Sequence, residues 1–256
     1  MQPKQTTPIV DTESYIELDL PSKGLVYPKE NFLSSGKIKL RYMKGKDENI
    51  FANPAYIKQG NVMEMLLKQL CAEPTFEPLD LIMTDKIYLL IAIRIMSLGA
   101  EFEVNNFSCS SCGTIHPKTN VDLSNIDDSK QIEFPLVDNL NEYEIQLPHS
   151  KDKIKLKILD GHGQMDLIAK LKRTNNSKLF SLLTSSLIVE HPISKRYVFG
   201  EILEYIENLS PRDTQFIRKK IVEISGITEP TIKHSCSTCG AENEISVGLD
   251  ESFFFQ

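Results

Sequence analysis

Two short stretches of this chain carry residues able to do chemistry: FSCSSCG at residues 107–113 and HSCSTCG at 234–240. Each sets two thiols on a tight turn, and the glycine that follows can take backbone angles closed to other residues. Such a turn aims both sulfurs at one ion, while its backbone N–H groups offset the thiolate charge. A single turn supplies two ligands, and a structural zinc site takes four.

The pattern admits four readings. A redox Cys-x-x-Cys sits at a helix N-terminus, whose dipole lowers the thiol pKa, whereas each pair here is followed by strand-like sequence. Two independent metal sites would recruit His116 and His234 and would each still lack a ligand. Metal-free turns, relics of an older site, are compatible with a chain large enough to fold without an ion. The favoured reading is one zinc ion held by Cys109, Cys112, Cys236 and Cys239. A closed tetrathiolate site leaves no open position for water, so the role it predicts is structural: a clasp between two halves of the chain.

The elements around the thiols occur twice in the same order. YIELDLPSKG, GKIKLRYMKGKDENIFA, MTDKIYLLIAIRIMSLGAEFEV and CSSCG in the first half correspond to YEIQLPHSK, DKIKLKILDGHGQMDLIA, SPRDTQFIRKKIVEISGITEP and CSTCG in the second. Leu20-Pro21 and Leu147-Pro148 stand 127 residues apart, as do Cys109 and Cys236, while the two KIKL segments are offset by 116. The fold class this predicts is α+β, with two tandem related units, each carrying half of a zinc-ribbon-like four-cysteine site. The predicted organisation is a flexible arm at 1–14, a first unit at 15–126, a linker at 127–142 and a second unit at 143–256.

Within each unit, IELDL or YEIQL and then KIKL alternate apolar and polar residues as half-buried strands do. Gly45 and Gly161 then mark turns of positive φ into helix. Helices follow over Tyr56–Ala72 in the first unit and over Gln164–Leu171 and Lys178–Glu190 in the second. A last helix is capped by Thr84 in one unit and by Ser210, with Pro211 and Asp213, in the other. Gly99 and Gly226 end these helices. The first is apolar nearly all round and should be central; the second carries Phe216, Ile217, Ile221 and Ile224 on one face. Strand, cysteine turn and strand then close each unit, as in half a zinc ribbon.

Composition bounds the function. A hydrophobic content of 41%, a charged content of 25% and a formal net charge of -6 describe an ordinary globular protein and disfavour one built to neutralise phosphates. The opening MQPKQTTPIVDTES lacks the apolar stretch of a secretory signal, which predicts a reducing, cytosolic setting. IYLLIAIRIMSL is too short to span a bilayer and contains Arg94, so it reads as a buried helix. Cys71 reads as a small core residue. His149, His162 and His191 have no partner at a useful spacing, and no H-E-x-x-H, G-x-S-x-G or phosphate-loop pattern occurs; GHGQ at 161–164 is incomplete. No enzyme is predicted. The basic cluster Lys170, Lys172, Arg173 and Lys178 reads as a solvated helix end, and Phe253, Phe254 and Phe255 are expected to pack on the body.

LPSKGLVYP followed by GKIKLRYMKGKDENI, DKIYLLIAIRIMSLG and a Cys-x-x-Cys turn resembles the baseplate hub proteins of T-even-like contractile-tailed phages, the hub subunit or hub assembly proteins. The likeness is fullest over residues 18–125. It implies a non-enzymatic, chaperone-like or structural role in tail assembly. Its partners would be other hub and tail proteins, not nucleic acid or membrane, in a homo- or hetero-oligomer. It would act in the host cytoplasm during assembly or in the virion baseplate. The segments found in one half alone, Lys23–Gly36, Arg173–Asn176 and Glu190–Tyr197, would give distinct partner faces, so that deleting Lys29–Ser35 spares the body. The alternative is a zinc-ribbon nucleic-acid-binding or transcription-associated module.

Overall fold

A computed structural model describes residues 14–126, 141–174, 178–192, 198–225, 230–249 and 251–255. The arm expected at 1–14 and the linker at 127–142 lie outside this range save for residues 14, 141 and 142. Of the two partner faces expected in the second half, residues 175–176 and 193–197 also lie outside it. Helices and small antiparallel sheets are mixed along the chain, an α+β arrangement.

Strands β1 (Ile16–Asp19) and β2 (Lys37–Leu40) pair with Leu18 opposite Ile38. Alternation in KIKL sends Ile38 and Leu40 into the core and both lysines outward. The chain between the strands is part of the core, contrary to the expectation that Lys29–Ser35 is dispensable. Val26, Tyr27 and Leu33 are buried, Leu33 completely, and Asn31 accepts the Leu33 N–H to cap a 3-10 turn. An insertion of this length brings its own apolar residues and must bury them.

The helix expected over Tyr56–Ala72 is broken into α1 (Pro54–Gln59) and α2 (Val62–Leu70), because Gly60 turns left-handed and returns its N–H to Tyr56 and Ile57. Beyond α2, Cys71 is extended and bridges Leu40, adding one rung to the edge of β2. Helix α3 (Met83–Leu98) ends at Gly99 as anticipated. Thr84 is not its cap. The helix starts at Met83, two residues before the Asp85 start that a Thr84 cap implies, and the Thr84 hydroxyl donates instead to the Ser225 carbonyl 2.9 Å away. A distant partner has displaced the local one. Nor is α3 enclosed on all sides, for Tyr88, Ile91, Ile95 and Met96 are half-buried along an apolar groove. Strands β3 (Glu101–Ser108) and β4 (Ile115–Asp122) then form a long hairpin.

The second half opens with the hairpin β5 (Tyr143–Gln146) and β6 (Lys153–Leu156). Helix α4 (Gly161–Arg173) is capped by Asp160, which accepts the Gly163 N–H. Neither Gly45 nor Gly161 adopts the positive φ expected of it. Gly161 is needed for space: a Cβ there would stand 2.9 Å from the Leu79 backbone. Helix α5 (Leu179–Leu187) stops short of the expected Glu190, since Ile188 and its neighbours leave as β7 (Ile188–Glu190) to pair with β6. The same edge carries the Cys71 bridge in the first half. Helix α6 (Phe199–Glu207) was not anticipated, although Ile202, Tyr205 and Ile206 bury one face at helical spacing. Helix α7 (Pro211–Ser225) starts as expected; its predicted stop, Gly226, lies outside the described residues. The hairpin of β8 (Thr231–Ser235) and β9 (Glu242–Ser246) follows.

One continuous apolar cluster draws on both halves, joining Leu33, Leu40, Leu67 and Ile93 to Leu147, Leu156, Ile188, Ile217 and Phe253. The tail at 253–255 packs on the first half. Phe253 is fully buried with its ring 5.3 Å from Phe102, and Phe254 lies 5.3 Å from Phe51. Arg94, buried inside α3, donates to the Phe253 carbonyl at 3.1 Å and to those of Gly99 and Glu101. Phe255 alone of the three stays 59% exposed.

Candidate metal centre

The tips of the β3–β4 and β8–β9 hairpins are the two Cys-x-x-Cys turns. Each is closed by the same bonds. Cys109 N–H donates to the Thr114 carbonyl at 3.0 Å and Gly113 N–H to the Cys109 carbonyl at 2.9 Å; Cys236 to Ala241 and Gly240 to Cys236 do so at 2.9 and 2.8 Å. Gly113 and Gly240 take positive φ of 71° and 72°, the conformation the motif required.

The hairpins meet tip to tip. The ligand atoms of Cys109, Cys112, Cys236 and Cys239 all lie within 4.8 Å of one another. Across the junction, Cys109 Sγ is 3.7 Å from Cys239 Sγ and Cys112 Sγ is 3.9 Å from Cys236 Sγ. A tetrahedron of thiolates bonded at about 2.3 Å has edges of about 3.8 Å. The spacing therefore fits one four-coordinate ion. Cys109 and Cys236 are buried, while Cys112 and Cys239 are exposed at the rim.

The electrostatics lead the same way. The Cys112 backbone N–H, against burial and with help from the Ser111 N–H and Asn243, pulls the Cys109 thiol down to about 6. The Cys239 N–H, again against burial, lowers Cys236 likewise. Cys239 is relieved by the Ala241 N–H, yet the crowding sulfurs of Cys112, Cys109 and Cys236, together with burial, push it up to about 11. Four thiolates at this distance need a cation between them to share one space.

Cysteines at hairpin tips lack the helix N-terminus that a redox pair uses. Two separate centres with His116 and His234 do not arise either, because both turns contribute to one cluster. His234 and Phe107 meet with their ring planes 84° apart and centroids 5.7 Å from each other. His116 stacks on Phe107 and brings Nε2 to 3.3 Å from Cys236 Sγ. Cys71, half-buried, packs against the core beside α2, as expected.

Elsewhere the candidates fall to ordinary roles. Lys170 pairs with Asp166 at 2.5 Å and covers the Phe199 ring, and Lys178 pairs with Glu207. His162 lies 3.4 Å from Asp80 and His149 3.8 Å from Asp213, both largely exposed, whereas His191 is buried against Tyr205. Among the described residues no helix is long and apolar enough to cross a membrane.

A second recurring contact escaped the sequence. Asp85 of α3 accepts the Ser22 N–H at 2.9 Å, just after Leu20-Pro21. Asp213 of α7 accepts the His149 N–H at 2.8 Å, just after Leu147-Pro148. Asp213 also takes the Ser150 N–H and the Ser210 hydroxyl, so it ties the helix start to the preceding hairpin and is more than a capping partner. The signal that could have found it is an aspartate in the first turn of the last helix of each half, 64 residues after Pro21 and 65 after Pro148.

The family model described as T4 bacteriophage base plate protein matches residues 16–255 of the chain. No curated protein and no solved structure matches it.

Proposed function

The chain belongs to the T4 bacteriophage base plate protein family, and from that premise we propose that it is a non-enzymatic component of the baseplate hub. In this reading it acts through contacts with other tail proteins, as a hub subunit or as an assembly factor working in the host cytoplasm. The match over residues 16–255 carries the proposal. A net charge of -6 supports protein partners over the nucleic-acid alternative.

The body is read as a duplicated unit, residues 15–126 and 143–256. What supports this is the pair of Leu-Pro and aspartate contacts, the matching cysteine turns and the third-strand edge contact after each KIKL strand. Cys109, Cys112, Cys236 and Cys239 would hold one zinc ion between the units, an assignment favoured by an all-thiolate, four-coordinate donor set. When bound, that ion supplies no catalysis; it neutralises thiolate charge and joins the two hairpins.

Two measurements test this. An affinity-tagged copy expressed during phage assembly should co-purify tail proteins identified by mass spectrometry, and recovery of host proteins alone would sink the hub reading. Mass spectrometry of purified particles then separates a resident subunit from a transient factor. Native mass spectrometry of the isolated chain should show one zinc per chain, and none in Cys236→Ser.

A further inference from the structure

The four cysteines are not the whole of the centre. Phe107 pairs with His116 across the first hairpin, and His234 pairs with Asn243 across the second. Phe107 and His234, like His116 and Asn243, stand 127 residues apart, the same offset as Cys109 and Cys236. His116 and Asn243 therefore occupy one position in two related hairpins. Each reaches over to the other hairpin. His116 Nε2 lies 3.3 Å from Cys236 Sγ, and Asn243 Nδ2 lies 3.6 Å from Cys109 Sγ.

We propose that His116 and Asn243 are a pseudo-symmetric pair of outer donors, each giving an N–H to the first cysteine sulfur of the opposite turn and thereby tightening the metal site from both sides. This rests on the metal reading above. A tetrathiolate around a divalent cation keeps two negative charges, and hydrogen bonds to sulfur offset that excess. Turn N–H groups do so from within each hairpin. His116 and Asn243 do so across the junction, so that metal capture and hairpin docking reinforce one another.

The orientation of Asn243 is fixed by its other bonds. Its Oδ1 accepts from the Ser110 N–H at 2.9 Å and the Ser110 hydroxyl at 2.8 Å, which leaves the amide N–H groups for the Ala241 carbonyl and Cys109. It is buried, with 7% exposure. His116 is held by stacking on Phe107, with centroids 5.6 Å apart and planes 18° from parallel, and donation to sulfur calls for the tautomer protonated on Nε2. Both neighbours are positioning residues for the thiolates, not ligands.

The test uses the full chain loaded with cobalt(II) as a spectroscopic stand-in for zinc. His116→Ala and Asn243→Ala should each release metal to a competing chelator on the order of 10- to 100-fold more readily than the unsubstituted chain. The ligand-field bands of a four-sulfur site should persist, and the sulfur-to-cobalt charge-transfer band should move to longer wavelength as the thiolates lose a donor. His116→Asn, which installs the side chain of the related position, should recover most of the retention. A merely structural role moves neither the band nor the rescue. Release unchanged in both alanine variants overturns the proposal, and so does loss of the ligand-field pattern in His116→Ala, which would make the histidine a ligand. If the unsubstituted chain takes up no cobalt, the metal reading falls as well; uptake with unaltered release removes the outer donors alone.

Discussion

In the first half, Asp85 receives Ser22 N–H, Ser22 hydroxyl and Tyr27 hydroxyl among buried residues, and burial pushes its carboxyl up despite those bonds. In the second half, Asp213 makes the corresponding contact beneath His149, whose side chain is 66% exposed. Burial pushes Asp213 up too, but the N–H groups of His149 and Ser150 and the Ser210 hydroxyl outweigh it and hold the carboxyl below its ordinary value. The two contacts share a geometry and both carboxylates are 0% exposed, but their donors differ in cover, Ser22 and Tyr27 being buried and His149 and Ser150 exposed. The motif sets where the carboxylate goes, and the depth of packing sets its ionisation. The first half gained that depth from its long β1–β2 insertion, which brings in Tyr27 and Leu33, and from the tail that the second half lends it.

That dependence can be broken most forcefully at the tail. Phe253→Ala should lower unfolding free energy by about 3–5 kcal/mol in a urea titration, while Phe255→Ala, at 59% exposure with its ring edge-on to Phe51 at 4.9 Å, should cost only about 0.5–1.5 kcal/mol. A Phe253 loss below about 1 kcal/mol would mean that the tail is not part of the first half's core. Leu33→Ala should cost about 2–5 kcal/mol, because Leu33 is 0% exposed; indifference would restore the insertion to a peripheral loop. Stripping the metal with a chelator should lower stability by about 2.7 kcal/mol relative to a hundredfold excess of free ion over the dissociation constant. Limited proteolysis of the stripped chain should open the hairpin tips before the β5–β6 hairpin.

The smallest effect is the most discriminating. Asp213, lowered in the fold, contributes stability that is present above the ordinary carboxylate value of 3.8 and is lost as pH falls through its lower folded value. Asp85, raised in the fold, contributes stability that is present below 3.8 and is lost as pH rises through its higher folded value. Asp213→Asn should therefore flatten the acid limb of stability against pH, and Asp85→Asn should remove a loss of the opposite slope at weakly acidic pH. Equal slopes from the two variants would show that the interiors do not differ in cover.

Much of the site was readable in one dimension because a cysteine turn is a local object: spacing and a following glycine define it, and the need of a structural zinc for four ligands, two per turn, suggested that two turns meet. The caps show where such reading stops. Ser210 caps α7 as predicted, since its partners lie three residues away. Thr84 obeys the same local rule and fails it, because Ser225 offers its carbonyl from 141 residues away. The break at Gly60 and the strand at Ile188 failed for related reasons: periodicity saw a continuous apolar face, while a left-handed glycine in one case and the open edge of a strand in the other supplied competing hydrogen bonds.

The sequence by itself determined the α+β alternation, the two cysteine turns and the cap at Ser210, because each depends on neighbours a few residues off or on a recurring order. Only the tertiary structure decided that the sulfurs close to within 4.8 Å, that His116 and Asn243 cross to the opposite turn, and that Phe253 enters the first half. Those facts depend on how two hairpins and a tail are docked. Docking is selected by the summed burial of apolar surface from segments far apart in the chain, a quantity no local spacing encodes.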